Sequence, residues 1–512
     1  MASDLDVDLL IIGGGINGAG IARDAAGRGL RVMLVEQGDL AGATSSASSK
    51  MAHGGLRYLE RGALRLVRES LHERETLLRI APHLVRPLEF VLPCAHQTRP
   101  AWQIRIGLWL YDTLGGARVL SPSRSVTLAA GERNPLRGEL TRGFVYSDCQ
   151  VDDARLVVVN ARDAADRGAA VLTHTRCVGL DSSGPTWRIR LESAAGERAE
   201  VSARAVVNAA GPWVSAVLDG AGIEAGPKVR LVKGSHIVVP RRWPGDAAFL
   251  LQNDDGRVVF VLPFEDAFTL IGTTDIALEH MPGSPEISDE EVEYLCRAVN
   301  RYLSSSVHPG DIVWSFAGVR SLYDDGVKRA SEVTRDYRLT LHRSAGGAPL
   351  VSVFGGKLTT FRRLAERVMR KLAPFFASMG PEWTAQTALP GGSFPAGGVQ
   401  ALQFALQPRH PGIPAEWVRG LVRRHGTHAS DLLAGARTPE DLGEHFGAGL
   451  TAREVDYLIR QEWASRADDI LWRRSKLGLR LGSGGRQALE RYLAAARIRR
   501  AADQMQSASA RV

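Results

Sequence analysis

A short stretch near the N-terminus, SKMAHGGLRYLE at residues 49–60, brings together side chains that bind anions and carry protons. His53, Arg57 and Tyr58 lie within it, directly after a hydroxyl-rich run at residues 44–49. A guanidinium group presents a rigid fork of donors that meets phosphate oxygens two at a time. The stretch is therefore a candidate binding site, and the surrounding segments must indicate for which molecule.

A glycine pattern lies upstream of this stretch. Gly13, Gly15 and Gly18 form G-x-G-x-x-G between an apolar run and a helical segment rich in small residues. Such glycines allow a tight turn, the close approach of a pyrophosphate and close packing of the helix on the strand. Glu36 ends the next apolar run, where a carboxylate can accept hydrogen bonds from a ribose. Because the helix N-terminus also favours negative charge, the pattern predicts a dinucleotide site.

Two further segments favour FAD over an exchangeable nicotinamide dinucleotide. The segment ARAVVNAAGPWV at 203–214 predicts a strand followed by Ala210 and Gly211, and another predicted strand ends before Gly355-Gly356-Lys357. Three distant segments that converge on one parallel sheet suit a large, permanently buried flavin. The hydroxyl run can then line the diphosphate and the flavin ring. A flexible serine-rich linker is the alternative interpretation of that run.

The order of sequence patterns predicts an α/β FAD-binding domain with a Rossmann-like parallel sheet, followed by other domains. An antiparallel β-sheet substrate domain and an all-helical C-terminal cap domain complete the expected architecture. Ser288 and Glu291 form a capping box that predicts a structural helix. Residues 1–390 are expected to form a discontinuous flavoprotein region, and residues 391–512 a helical C-terminal domain. Within the flavoprotein region, the FAD-binding segments are expected at about 1–80, 150–225 and 346–375. The substrate-binding segments are expected at about 81–149 and 226–345.

Composition narrows the class of protein. A formal charge of +8 makes an acidic partner plausible, although a solvated basic surface explains it equally well. The four cysteines lack any Cys-x-x-Cys spacing, so neither a disulfide framework nor a metal site is expected. The N-terminal sequence resembles no secretory signal, and no run reaches the roughly 18 apolar residues of a membrane span. Any membrane contact is therefore expected to be peripheral.

Ten segments together resemble the aerobic, FAD-dependent sn-glycerol 3-phosphate dehydrogenases over residues 6–480. They are IGGGINGAGIARDAAGRGL, ATSSASSK, HGGLRYLE, RGFVYSDCQVDDARL, NAAGPWV, KGSHIVVP, IGTTD, FAGVRSL, SVFGGKLTTFRRLAE and RADDILWRRSK. The resemblance implies a fold like that of D-amino-acid oxidase, and electron transfer from glycerol 3-phosphate through non-covalent FAD to ubiquinone. It also implies peripheral attachment to the cytoplasmic face of the inner membrane, and leaves a homodimer open. The basic residues that could meet anionic lipid are Arg466, Arg473, Arg474 and Lys476.

The resemblance also implies roles for individual residues. Arg320 matches the phosphate-binding arginine of the family, and Arg57 resembles a second cationic group beside the substrate, with Tyr58 on a substrate oxygen. Lys357 matches a lysine at the junction of flavin and substrate, and Thr274 and Asp275 lie in a family segment near the site. The expected cofactor-binding positions are Gly13, Gly15, Asn17, Gly18, Glu36, Thr44, Ser45, Ser46, Ser49, Val178, Ala210, Gly211, Lys357, Leu358 and Thr359.

The base that takes the substrate hydroxyl proton is left open between two residues. His236 is favoured because imidazole titrates near working pH, although a lone histidine on a strand is more often structural. Lys357 could instead take the proton as a neutral amine, or stabilise negative charge on the reduced ring as a cation. Two positions depart from the family pattern. Ser321 replaces a common proline, which puts the rigidity of that loop in doubt, and Ala210 replaces a frequent threonine.

Two other functions are possible alternatives. An oxidase of the same lineage would pass electrons to oxygen and make peroxide, but such oxidases typically carry an inserted segment for which this length leaves little room. A basic nucleic-acid-binding protein would show salt-steep association with DNA or RNA. No recognition motif or interleaved aromatic-basic patch supports it, so no nucleic-acid partner is expected.

Overall fold

The computed structural model describes residues 5–95, 99–116, 119–128, 134–223, 229–324, 336–395 and 398–509. The chain divides into two compact units, Met1–Leu389 and Pro390–Val512. This division lies one residue from the predicted boundary between the flavoprotein region and the C-terminal region. The larger unit contains two extended sheets, whereas the smaller unit is mainly helical.

The strands of the described part of the chain lie mostly in the larger unit. They are β1 (Leu5–Ile12), β2 (Val32–Val35), β3 (Met51–Ala52), β4 (Val85–Pro93), β5 (Arg124–Thr127), β6 (Arg142–Val151), β7 (Ala170–Leu172), β8 (Thr175–Ser183), β9 (Thr186–Ser193), β10 (Arg198–Asn208), β11 (Val229–Pro240), β12 (Ala248–Gln252), β13 (Val258–Phe264), β14 (Phe268–Gly272), β15 (Ile276–Leu278), β16 (Trp314–Tyr323), β17 (Arg338–Arg343), β18 (Pro349–Phe354), β19 (His445–Gly447) and β20 (Leu450–Thr451).

The α-helices are distributed over both units. They are α1 (Ile16–Gly27), α2 (Leu64–Ile80), α3 (Ala101–Leu114), α4 (Asp153–Asp166), α5 (Val214–Gly220), α6 (Asp289–Asn300), α7 (Phe361–Leu372), α8 (Val399–Leu406), α9 (Ala415–His425), α10 (Ala429–Leu433), α11 (Ala452–Gln461) and α12 (Ser483–Ser509).

The first sheet carries the predicted dinucleotide motif. Its strand order is β17-β18-β10-β1-β2-β7, with β9 beside β10 and β8 beside β9. The strands β18, β10, β1, β2 and β7 run parallel to one another, whereas β17 is antiparallel to β18, β9 to β10 and β8 to β9. Leu10, Val206 and Leu350 are buried in one apolar cluster of this sheet. The carboxyl ends of β1, β10 and β18 therefore meet at one edge, where ligands of such sheets bind.

The second sheet is the predicted antiparallel one. Its order is β15-β11-β14-β13-β12-β4-β6-β3, with β16 paired to β11 and β5 to β6. The pair β4 and β12 is parallel, and the other pairings are antiparallel. Helix α6 packs on this sheet through Leu295 and Val299. The Ser288 capping box is confirmed, because both of its reciprocal hydrogen bonds with Glu291 are present.

Two strands depart from the predicted segments. β3 lies within the segment expected to bind FAD, yet it pairs with β6 of the antiparallel sheet. β17 lies within the expected substrate-binding segment, yet it pairs with β18 of the first sheet. Both are edge strands, so local sequence pattern does not indicate which sheet they join.

The smaller unit is not wholly helical. β19 and β20 form a short antiparallel hairpin, and Gly447 and Gly449 adopt the positive φ angles that its tight turn requires. The expectation that Arg466, Arg473, Arg474 and Lys476 form a lipid-facing surface is wrong for Arg474 and Lys476, which are buried. The chain winds as a π-helix over Asp469–Arg474, and Arg474 donates to the Glu462 carbonyl at 2.6 Å.

None of the helices in the described part of the chain combines the length and apolar character needed to cross a membrane. The four cysteines are free thiols. The described residues also contain no group of three or more His, Cys, Asp or Glu side chains arranged to hold a metal ion.

Candidate active site

The turn between β1 and α1 has the geometry that the glycine pattern predicts. Gly13 has φ of +111°, and a Cβ there would stand 2.5 Å from the Ala209 carbonyl oxygen. A Cβ on Gly18 would stand 1.8 Å from the Gly13 carbonyl oxygen. Both contacts are with backbone, which cannot move aside as a flexible side chain could. The glycines therefore allow β1, β10 and the start of α1 to approach closely.

Glu36 lies directly after β2 and faces this turn. Its carboxylate oxygens accept from the Gly14 N–H at 2.6 Å and from the Gly38 N–H at 2.8 Å. Burial raises the pKa of the carboxyl group above its ordinary value, and the two backbone donors oppose that shift. This is the position from which an acidic residue reaches a ribose in dinucleotide-binding sheets.

The hydroxyl run crosses from the first sheet to the second. Ser45 accepts from the Ile16 N–H at 3.0 Å, so its hydroxyl meets the N-terminus of α1. Thr44 donates to the Val319 carbonyl of β16 at 2.6 Å. Gly318 allows this approach, because a Cβ there would stand 2.5 Å from the Cβ of Ala47. Neighbouring hydroxyl-bearing residues thus contact both sheets, which argues against a flexible linker.

The end of β18 approaches the same turn. Gly355 and Gly356 both have positive φ, and the Asn17 side-chain amide donates to the Gly355 carbonyl at 3.3 Å. Leu358–Thr360 then forms a short 3-10 helix ahead of α7. Thr359 accepts from the His53 N–H at 3.2 Å. The third predicted segment therefore reaches both the glycine turn and the SKMAHGGLRYLE stretch.

Two buried polar atoms at this edge lack a partner among the described residues. They are the side-chain oxygen of Asn17, in the first turn of α1, and the hydroxyl of Thr360, directly before α7. A buried polar group left unpaired costs about 1–3 kcal/mol. A ligand with several polar groups would satisfy both atoms. Together with the close-packed glycine turn, they form an arrangement that fits a flavin dinucleotide.

The remaining predicted cofactor positions lie around this region. Ala210 and Gly211 follow β10, with the backbone of Ala210 close to Gly13. Val178 is 39% exposed at an irregularity of β8, whose first residue, Thr175, donates to the Glu36 carbonyl. Ser46 donates to the Ala43 carbonyl at 3.3 Å.

Arg320 lies on β16 and is held by residues that follow β14. Its guanidinium donates to the Asp275 carboxylate at 2.5 Å and to the Thr273 hydroxyl at 3.0 Å. A Cβ on Gly234 would stand 2.2 Å from a terminal nitrogen of Arg320, so this glycine makes room for the guanidinium. The side chain is 24% exposed, which leaves it accessible to a small ligand.

His236 lies on β11, beside Arg320 in the same pair of strands. Its ring stacks on Phe316, with centroids 4.8 Å apart and planes 10° apart. Its Nε2 is 2.9 Å from the Ser49 hydroxyl, and its Nδ1 lacks a hydrogen-bond partner among the described residues. Gly272 makes room for the ring, because a Cβ there would stand 2.1 Å from it.

The surroundings of His236 keep its imidazole neutral. Burial lowers the pKa of His236 well below its ordinary value of 6.5, and the positive charges of Arg320 and Lys50 lower it further. A neutral imidazole has one nitrogen that can accept a proton. The electrostatics therefore fit a proton acceptor, although the same burial would suit a structural histidine.

Lys357 and Tyr58 contact each other beside His53. The Lys357 ammonium lies 4.7 Å from the centre of the Tyr58 ring, and it donates to the Ser70 hydroxyl at 3.0 Å and to the His53 carbonyl at 3.4 Å. Burial lowers the pKa of His53 to about 3, with further lowering by Lys357 and Arg74. Arg57 donates to the Gly256 carbonyl at 2.8 Å.

Both groups of side chains contact the antiparallel sheet, His53 at β13 and His236 on β11. The His53 ring meets the Phe260 ring edge-on at 6.4 Å. Phe260 is opposite Gly272 in the β13–β14 pair, and Gly272 is opposite His236 in the β11–β14 pair. His53 and His236 are therefore separated by β14 and belong to one region of the sheet surface.

A buried ion pair adjoins the site without any sequence pattern that predicts it. Lys50 donates to both carboxylate oxygens of Asp153 at 3.0 Å, and Ser48 donates to Asp153 at 2.7 Å. The Lys50 ammonium also lies 4.7 Å from the centre of the Phe316 ring, the ring on which His236 stacks. The pair fixes the end of the hydroxyl run beside His236. No short-range signal could have found it, because its partners are about a hundred residues apart.

Comparison with known families agrees with this geometry. The family described as FAD dependent oxidoreductase matches residues 8–362, and the C-terminal domain of alpha-glycerophosphate oxidase matches residues 383–504. A solved structure of glycerol-3-phosphate dehydrogenase from Bacillus halodurans, complexed with FAD, superimposes with a TM-score of 0.73 and 28% identity. The match covers 93% of this chain and 87% of the Bacillus chain.

Relatives similar along nearly the whole chain carry more specific names. The glycerol-3-phosphate dehydrogenase of Pseudomonas aeruginosa is 52% identical, covering 95% of this chain and 94% of the relative. The aerobic glycerol-3-phosphate dehydrogenase of Escherichia coli is 46% identical, covering 95% and 97%. The D-erythritol 1-phosphate dehydrogenase of Brucella abortus is 48% identical, covering 95% and 98%. The chain therefore belongs to the FAD-dependent oxidoreductase family, with FAD as its cofactor, and within it to the glycerol-3-phosphate dehydrogenases.

Proposed function

We propose that this enzyme oxidises sn-glycerol 3-phosphate to dihydroxyacetone phosphate and passes the electrons to membrane ubiquinone. The observation that carries the proposal is the placement of Arg320 and His236. These residues are 84 positions apart in the chain, yet they lie on paired strands beside the hydroxyl run that reaches the α1 N-terminus. An anion-binding group and a proton acceptor therefore adjoin the proposed cofactor site.

Oxidation of the C2 alcohol removes a hydroxyl proton and a hydride, and leaves a carbonyl. FAD, when bound, supplies the hydride acceptor. Arg320 binds the substrate phosphate through its guanidinium fork, and Arg57 contributes a second positive charge. Tyr58 contacts a substrate oxygen. The cofactor is held non-covalently by the glycine turn, Glu36 and the hydroxyl run.

His236 is the favoured base, because its pKa is held low and its ring is neutral at working pH. A base with a low pKa is unprotonated at working pH, but it is also a weak base. Lys357 remains the alternative base, since its side-chain nitrogen contacts both the His53 carbonyl and the Tyr58 ring. As a cation, Lys357 would instead stabilise negative charge at the reduced ring.

Delivery of electrons to ubiquinone requires contact with the bilayer in which that quinone dissolves. We place the enzyme at the cytoplasmic face of the inner membrane as a peripheral protein. The oxidase alternative predicts hydrogen peroxide instead of reduced quinone. D-erythritol 1-phosphate is a second candidate substrate, favoured by the Brucella relative at 48% identity. It also combines a phosphate with alcohol groups, so the same arginine could bind either substrate.

The deciding experiment is a visible spectrum of the purified enzyme under anaerobic conditions. Addition of glycerol 3-phosphate should bleach the flavin band, and subsequent addition of a ubiquinone analogue should restore it. Parallel titration with D-erythritol 1-phosphate compares the two substrates through kcat/KM. A flavin that only the erythritol ester bleaches would reverse the substrate assignment. Stoichiometric peroxide on exposure to air, with no quinone reduction, would establish the oxidase.

A further inference from the structure

We propose that helix α3 docks the enzyme on an anionic phospholipid surface through Trp102, Ile106 and Trp109. This inference rests on the proposed delivery of electrons to a membrane quinone and identifies the surface that brings the enzyme to it. The three side chains are 62%, 55% and 59% exposed. Their spacing of four and three residues puts them on one face of the helix.

The opposite face of α3 already packs against the protein. Ile104, Leu108 and Tyr111 are buried there. One apolar stripe is enough to attach a surface helix to its domain, and the opposite face is ordinarily polar. α3 instead presents two tryptophans and an isoleucine to the outside. Tryptophan is the residue enriched where a protein meets the headgroup layer of a bilayer.

The size of this stripe argues against a second copy of the chain as its occupant. The three side chains expose roughly 400 Å² together, taking about 250 Å² for a whole tryptophan side chain. A stable protein interface buries about 800 Å² on each partner. A helix lying in the bilayer interface needs no matching surface, because its apolar side chains enter the headgroup and acyl boundary directly.

The charge around the stripe suits acidic headgroups. Arg105 is exposed on α3, donates to the Ser123 hydroxyl at 3.2 Å, and pairs with no carboxylate among the described residues. Asp112, the acidic residue of α3, accepts from the Ser123 N–H at 2.9 Å and hydroxyl at 2.6 Å. A long arginine side chain can keep its charge at the phosphate level while the helix lies deeper.

Two other arginines near α3 are already paired. Arg99 binds Glu60, and Arg124 binds Glu89. Among the described residues that flank α3 in the sequence, Arg105 is therefore the arginine left to meet acidic headgroups, and the apolar stripe carries most of the binding. This predicts attachment that depends on anionic lipid but survives moderate salt.

The position of α3 relative to the candidate active site fits the proposed electron acceptor. Tyr111, on the buried face, accepts from the Gly54 N–H at 2.8 Å and donates to Asp148. Gly54 follows His53 in the candidate site. Since an α-helix with its side chains is about 10–12 Å across, docking through the outer face would hold this wall of the site about that far from the bilayer.

The test compares a triple variant with a matched control in the full-length holoenzyme. Trp102→Gln, Ile106→Gln and Trp109→Gln together remove the stripe and keep helix-compatible residues. Phe404→Gln, at an aromatic residue 65% exposed on α8, is the control. Binding is measured by co-sedimentation with phosphatidylcholine vesicles, with and without phosphatidylglycerol. The triple variant should lose at least about tenfold in vesicle partition, and F404Q should not change.

Activity separates failure of this surface from failure of the proposed reaction. With a water-soluble dye as electron acceptor, wild type and triple variant should oxidise glycerol 3-phosphate at equal rates. With ubiquinone dissolved in vesicles, the triple variant should be slower. Unchanged vesicle binding by the triple variant overturns the inference, as does an altered oligomeric state with vesicle binding intact. Absence of dye-linked activity in wild type would instead refute the proposed function.

Discussion

The cofactor half and the substrate half of the candidate site are built in different ways. The cofactor half consists of the turn at Gly13–Gly18, together with Glu36 and Ser45. Most of its contacts lie within about thirty residues of the chain, and Ala209 of β10 packs against Gly13. The substrate half consists of Arg320 and His236, which reach one place only after β11, β14 and β16 pair. Substitutions in the cofactor half should therefore act through steric clash. Substitutions in the substrate half should act through loss of a charge or of a proton acceptor.

The largest effect is expected where backbone contacts backbone. Gly18→Ala places a methyl group against the Gly13 carbonyl oxygen, only 1.8 Å from the position of the new Cβ. We expect a loss of about 4 kcal/mol or more of folding free energy, with loss of bound flavin. Thermal unfolding and the ratio of flavin to protein absorbance measure this.

Gly220→Ala is the matched control, because a Cβ at Gly220 meets no atom within 4 Å. It should leave flavin content and stability near those of the wild type. Normal flavin content in G18A would show that the turn can open without cost, and would contradict the close-packed geometry.

The next effect distinguishes the two candidate bases of the substrate half. His236→Asn should lower the rate of flavin reduction by about 10²–10⁴-fold while substrate affinity changes less. Lys357→Met should mainly alter flavin potential or substrate binding if Lys357 acts as a cation. Anaerobic stopped-flow reduction by glycerol 3-phosphate measures both. A normal reductive half-reaction in H236N would transfer the base role to Lys357.

The third-largest effect is expected from loss of the phosphate-binding group. Arg320→Ala should cost about 2–5 kcal/mol of transition-state binding, since it removes one partner of a charged pair. The effect should appear in kcat/KM for glycerol 3-phosphate. Arg188→Ala, at an exposed arginine paired with Glu200 on the first sheet, is the control and should have little effect. An unchanged kcat/KM for glycerol 3-phosphate in R320A would refute the assignment.

The cofactor half can be predicted from the sequence because most of its determinants are local. Glycine spacing and the following carboxylate describe a turn that forms within one β-α-β unit. The substrate half is identifiable only through family resemblance. Gly234 and Gly272, which make room for Arg320 and His236, carry no sequence pattern that marks them. Ser49 is expected from the sequence to bind the cofactor, yet its hydroxyl contacts His236, because strand register decides which residues meet.

A smaller effect concerns pH, and it reports on the burial of His236. Because its pKa in the folded protein is depressed, the unfolded chain takes up a proton below about pH 6.5 that the folded chain does not. Stability is therefore full above that pH and falls by up to about 1.4 kcal/mol per pH unit below it from this group. His236→Gln should remove this part of the slope in chemical denaturation, whereas His280→Gln, at an exposed position, should not. Equal slopes for H236Q and wild type would contradict the depressed pKa.

The smallest expected effects come from two serines four residues apart, and they sharpen the comparison most. Ser45→Ala removes the acceptor for the Ile16 N–H at the α1 N-terminus, so it should weaken flavin binding by about 0.5–1.5 kcal/mol. Ser49→Ala removes the hydroxyl beside His236 Nε2, so it should slow flavin reduction by a similar free energy and leave flavin affinity unchanged. Each variant serves as the control for the other. If both variants changed flavin affinity and neither changed the reduction rate, the hydroxyl run would belong wholly to the cofactor half, and the contact with His236 would be structural.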